Sequence, residues 1–184
     1  EDLASPGVFR FDLELGEAVL ILAAPGWDPP AGGAKAALHA LRSAERRRRR
    51  AYPSRLHRAA DDYIVKRGQG STIVAGYLWF TDWGRDTFIA LRGLCLATGR
   101  LEAARDILLE WAGAVSEGML PNRFPDRGDE PEFNAVDASL WYVVAVCEIP
   151  GSQHSARLAH AVAAILDGYQ KGTRFGIRMD RDAL

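Results

Sequence analysis

Four runs of apolar residues at helical spacing, each ended by glycine or proline, constrain what this chain can fold into. From Phe88 the period is helical, with Phe88, Leu91 and Cys95 on one face until Gly99. Leu101, Ala104, Leu108, Trp111, Ala112 and Val115 form the next stripe, with Glu102, Arg105 and Asp106 outside it, until Gly118. Val136, Leu140, Val143, Val144 and Cys147 repeat the pattern before Pro150-Gly151, and Leu158, Ala161, Val162, Ile165 and Tyr169 repeat it before Gly172. The connections are unequal: short at Gly99-Arg100 and from Ile149 to Gln153, long from Glu117 to Asn134. The expectation is a mainly α fold of helical hairpins whose long loops gather on one functional rim.

The amino-terminal part reads differently. Val8 to Leu15 alternates apolar with charged residues, Gly16-Glu17 offers a two-residue turn, and Ala18 to Ala24 is wholly apolar. Together they predict a β-hairpin ended by Pro25. An isolated hairpin is marginal in water, so it is expected to belong to a sheet whose other strands lie outside this chain. Trp27 to Gly33 is a Pro/Gly-rich linker, and Ala34 to about Ala51 is a helix. The expected divisions are 1–26, 27–58 and 59–184.

Five consecutive arginines, Arg46 to Arg50, point all round a helix rather than along one groove, and the flanking chain has no nucleic-acid motif. They predict a solvated helix or linker, with no nucleic acid as partner. The formal charge of −1 favours neither polyanions nor an anionic membrane. The apolar run Ala18 to Pro25 is too short to cross a bilayer, and no secretory pattern stands at the amino end, so no membrane partner and a cytoplasmic location are expected. Cys95 and Cys147 lie in apolar helical patterns, which predicts buried, reduced thiols. The histidines His39, His57, His154 and His160 are scattered, so no protein-bound metal is expected.

The densest chemistry lies from Gly76 to Leu91, Gly-Tyr-Leu-Trp-Phe-Thr-Asp-Trp-Gly-Arg-Asp-Thr-Phe-Ile-Ala-Leu. Tyr77, Trp79, Phe80 and Trp83 offer flat faces for the C–H side of a pyranose, and Asp82, Arg85 and Asp86 offer hydrogen-bond partners for its hydroxyls. The same residues equally suit the capped start of a helix with ordinary core tryptophans.

The run Trp79 to Arg92, with Gly118-Met-Leu-Pro-Asn-Arg-Phe-Pro-Asp and Phe133-Asn-Ala-Val-Asp-Ala-Ser-Leu-Trp141 downstream, resembles the glucosidase domain of glycogen debranching enzymes. Trp-Gly-Arg-Asp is also similar to the Trp-x-Arg-Asp of glucoamylase-like six-hairpin glycosidases. The resemblance runs from near Ala59 to about Phe175. It implies an (α/α)6 toroid preceded by a β-sandwich domain. The stretch after Gly70 has room for about four helices of average length, so the expectation is a fragment: the tail of the sandwich, a linker and the first part of the toroid.

By the same resemblance, Trp83, Arg85 and Asp86 line the subsite of the glucosyl unit released, with Asp86 a binder rather than a proton donor. Asn122 and Arg123 belong to its second motif, in a loop stiffened by Pro121 and Pro125. Asp137 and Trp141 share a helix face at i and i+4. Asp137 equally suits a first-turn carboxylate favoured by the helix dipole. The implied activity is hydrolysis of α-1,6-linked glucose stubs on an α-glucan, glycogen or limit dextrin, without a cofactor. Such hydrolysis uses two carboxyls astride the bond, which the resemblance places on helices past Leu184. Asp126, Asp129, Glu130 and Glu132 share a loop in which no spacing singles out a pair. Two alternatives stay open: a trehalase-like or other related α-glucosidase, and a carbohydrate-binding protein without catalysis.

Overall fold

The apolar runs fold as helices close to where their periodicity predicts. The computed structural model describes residues 7–22, 26–28, 31–68, 70–77, 80–125 and 130–182. The chain divides into two units, Glu1–Pro53 and Ser54–Leu184.

In the first unit, α1 (Gly33–Ala51) carries the arginine run. Glu45 accepts hydrogen bonds from Arg48 and Arg49, and these hold its carboxyl down to about 2. The run thus carries its own counter-charge one turn away. The predicted hairpin over residues 8–24 is corrected. The described residues 7–22 contain no strand, only a 3-10 turn at Leu13–Leu15 in which Asp12 accepts from the Glu14 N–H at 3.0 Å; Ala23 and Ala24 lie outside the described residues. Alternation specifies a buried face, yet Val8, Phe9, Phe11, Leu13 and Leu15 are all exposed. Without a sheet to cover that face, pairing two strands gains too little to fix them.

The second unit begins with α2 (Arg55–Asp62), capped by Ser54, whose hydroxyl accepts from the His57 N–H. A hairpin follows that periodicity did not predict: β1 (Ile64–Arg67) pairs antiparallel with β2 (Gly70–Ile73), Ile64 opposite Ile73 and Arg67 opposite Gly70. Then come α3 (Gly84–Leu91), a π-helical turn over Arg92–Leu96, α4 (Leu101–Ala112), α5 (Ala138–Glu148) and α6 (Ala156–Lys171). Helix α3 packs on α5, and α6 packs on both α5 and α4. Their apolar stripes meet in one core that includes Phe88, Leu91, Ile107, Leu108, Tyr142 and Leu158. Phe88 meets Trp111 and Tyr142 edge-on, with centroids 5.1 and 5.2 Å away. The Tyr142 hydroxyl donates to the Leu108 carbonyl at 3.0 Å, satisfying both groups in that dry interior.

Where the turn between α4 and α5 crosses α6, two backbones touch. A Cβ added to Gly118 would stand 2.6 Å from the Gly168 Cα, and one added to Gly168 would come closer still to the Gly118 Cα. Gly118 also has φ +77°, a conformation glycine adopts without steric cost.

The two thiols part company. Cys95 is buried in the core, and burial pushes its thiol up to about 11. Cys147, predicted buried, is exposed on α5. A thiol reagent at pH 8 is therefore expected to modify Cys147 promptly and Cys95 only after unfolding, and two fast equivalents would contradict this. Because the folded thiolate of Cys95 is disfavoured, the unfolded chain loses that proton first as pH rises. Its stability contribution is whole below about pH 9 and lost between pH 9 and 11. Among the described residues, no helix is long and apolar enough to cross a membrane.

Candidate functional site

Helix α3 starts without a cap of its own. Trp83 occupies the cap position and makes no side-chain capping bond. The missing acceptors come from a remote loop: the Asn122 carbonyl accepts from the Gly84 N–H at 2.7 Å, and the Asn122 Oδ1 accepts from the Arg85 N–H at 3.0 Å. One buried asparagine thereby satisfies two of the helix's orphan donors. Gly84 makes this approach possible, since a Cβ there would stand 2.9 Å from the Pro121 carbonyl oxygen.

The loop is held in turn. Asn122 Nδ2 donates to Asn134 Oδ1 at 2.9 Å, and Asn134 Nδ2 donates to Glu132 Oε2 at 3.2 Å. The second Glu132 oxygen accepts from Arg123 Nη1 at 2.8 Å. Arg123 pairs by backbone with both Trp83 and Glu132, and its guanidinium lies 5.6 Å from the centre of the Trp83 ring. Sequence assigned Asn134 no role although it is the second residue of the third motif, and named Glu132 only among four loop carboxylates.

Arg85 reaches the start of α5, where its Nε donates to Asp137 Oδ1 at 2.9 Å. Asp137 is the residue before α5, yet its carboxylate makes no capping bond and turns to Arg85 instead. It forgoes about 1 kcal/mol of capping. Just before Asp137, the Val136 carbonyl accepts from the Tyr169 hydroxyl. Burial holds the Tyr169 phenol above its ordinary value, opposed by a hydrogen bond with Ser139 and aided to a smaller extent by the Asp137 charge.

Arg85 and Asp86 stand side by side on a cavity of about 520 Å³, whose other walls include Tyr63, Ile73, Val74 and Ile89. That is the size of a small-ligand pocket, largely apolar with a few convergent polar groups. The α3 start, the Asn122 loop and the α5 start therefore bring Trp83, Arg85, Asn122, Arg123 and Asp137 into one network. Asp86 stands on the cavity beside it.

Other members of the Gly76–Leu91 stretch have different places. Asp82 is a correction: it is 5% exposed, accepts from Thr72 Oγ1 at 3.1 Å and pairs with Arg67, so it is not open to a ligand's hydroxyls. Tyr77 packs on Tyr63 with centroids 5.8 Å apart and donates its hydroxyl to the Asp62 carbonyl. Phe80 is exposed. Trp79, Asp126 and Asp129 lie outside the described residues.

Residues 58–184 match the family model described as amylo-alpha-1,6-glucosidase. Over 64 residues the chain is 44% identical to the glycogen debranching enzyme of Saccharomyces cerevisiae, an alignment covering 35% of this chain and 4% of that protein. The shared segment is thus a small part of the relative's length.

Proposed function

The chain belongs to the amylo-α-1,6-glucosidase family, and on that premise we propose that it forms the glucose-gripping part of an enzyme that removes single α-1,6-linked glucosyl stubs from branched α-glucans. The observation that carries this reading is the Arg85–Asp137 pair, formed at the expense of a helix cap, whose Arg85 lines an open cavity together with Asp86. Arg85 presents its remaining donors, and Asp86 and Asp137 present acceptors, to neighbouring hydroxyls of one hexose. Trp83 supplies a flat face stiffened by Arg123. Asn122 and Arg123 shape the rim, their polar groups holding the α3 start in position.

This chain's contribution to hydrolysis is orientation. Fixing the terminal glucose against an acid and a base lowers the barrier by removing freedom before the reaction. The packing of α3 on α5, and of α6 on α5 and α4, supports helical hairpins of the (α/α)6 kind in residues 59–184.

The test is glucose release by the full-length protein from a limit dextrin, with linear maltodextrin and trehalose as comparisons. We expect release from the branched substrate. Asp86→Asn is expected to lower kcat/KM about a hundredfold at unchanged melting temperature, as losing a charged hydrogen-bond partner worth roughly 2–3 kcal/mol would. Release from trehalose but not from the dextrin would replace this reading with the trehalase-like one.

A further inference from the structure

We propose that the ion pair between Arg67 and the buried Asp82, with Thr72, is a positioning device for the sugar-gripping segment, acting through Trp83 and Arg85 rather than by touching the ligand. The inference rests on the hexose reading of that segment. Asp82 directly precedes Trp83 and is almost wholly buried, and its carboxylate is held by two residues of the β1–β2 hairpin. Arg67 also lies over the Phe124 ring at 4.8 Å. Phe124 follows Arg123, whose backbone pairs with Trp83, and it packs on the core residue Trp111 at 4.9 Å.

The pair therefore fastens both strands of the Trp83–Arg123 bridge to one hairpin. Asp82 fixes the incoming side through its carboxylate, and Phe124 fixes the opposing side through its ring. Asn122 then fixes the outgoing side at Gly84 and Arg85. Three consecutive residues, Trp83 to Arg85, are clamped at each end.

Stability alone does not explain this arrangement. Burying the Asp82 carboxylate costs desolvation that its pairing with the part-exposed Arg67 offsets, and apolar replacements of such pairs at like volume are often neutral or stabilising. What an apolar pair lacks is direction. Charges and the Thr72 hydroxyl fix where Asp82 stands, and hence the angle at which the next residues leave.

The test separates the two roles. The variant Thr72→Val/Arg67→Met/Asp82→Leu replaces all three polar side chains at once. Its melting temperature is expected to equal or exceed that of the wild type, while affinity for methyl α-glucoside, followed by NMR titration, falls at least tenfold. The Arg85 Nε–H and Trp83 indole N–H resonances are expected to shift in the ligand-free protein. Should the triple variant fail to fold, Asp82→Asn keeps an acceptor for Thr72 while removing the ion pair, and the same two resonances are expected to move. Unmoved resonances in a folded variant, or wild-type affinity in the triple variant, would overturn the proposal. A wild type that does not bind methyl α-glucoside would overturn the hexose reading instead, and the two resonances would still report on the clamp.

Discussion

Gly168→Ala is expected to destabilise the protein by about 3 kcal/mol or more, lowering its melting temperature by roughly 10 °C. On helix propensity alone the substitution is favourable, because alanine exceeds glycine by about 0.5–1 kcal/mol in a helix interior. Here packing wins. The new methyl would meet the Gly118 Cα, an atom of backbone that cannot rotate away as a side-chain tip does. Either α6 moves outward, opening its buried face at Leu158, Ala161 and Ile165, or the turn at Gly118 shifts. That turn is tied on both sides: Ser116 and Met119 exchange backbone hydrogen bonds, and the Glu117 carbonyl accepts from the Arg174 N–H at 3.1 Å. Gly118→Ala is expected to cost at least as much, since it adds strain at φ +77° to the same collision. Gly93→Ala provides the control. A Cβ there meets nothing within 4 Å, and we expect no loss of stability. Thermal melts of the three variants decide the matter, and a Gly168→Ala protein melting with the wild type would show that the contact yields.

Arg85→Ala is expected to reduce kcat/KM about a thousandfold while changing stability by under about 1 kcal/mol. The two halves have separate causes. The Arg85 and Asp137 side chains are 47% and 46% exposed, and ion pairs so open to water contribute about 0–1 kcal/mol to folding. Against a bound sugar that shuts water out, truncating one partner of a hydrogen-bonded charge pair costs roughly 2–5 kcal/mol. Arg85→Lys is expected to recover little, because an ammonium cannot hold Asp137 and a vicinal diol in one plane. Since the two groups act as a unit, the Arg85→Ala/Asp137→Ala double variant should lose far less than the sum of the single losses. Additive losses would mean that the two residues serve different ends.

The helices were legible because their apolar stripes are long and their stops are glycine or proline, signals that depend on neighbours in sequence. Helix α2 and the β1–β2 hairpin were missed for the opposite reason. Arg55–Asp62 has only Leu56, Ala59 and Ala60 as apolar content, and strands of four residues are too short to show a period. The failure propagated. With the hairpin unseen, the partner of Asp82 was unseen, and a buried structural carboxylate read as a ligand contact. Residues 8–15 show the converse error: perfect alternation names a face but cannot name what covers it. In the site, Arg85, Asp86 and Asp137 were visible as motif residues. The capping of α3 by Asn122 depends on a contact 37 positions away and has no local signature.

The π-helical turn at Arg92–Leu96 has a consequence for inheritance. The Ala97 N–H reaches back five residues to the Arg92 carbonyl at 3.0 Å, so this winding accommodates one residue beyond the α count. Such a turn is a reservoir in which descent can add or delete a codon. Everything up to Leu91 keeps its register, including the winding that bears Arg85 and Asp86, and only the exit toward Gly99 swivels.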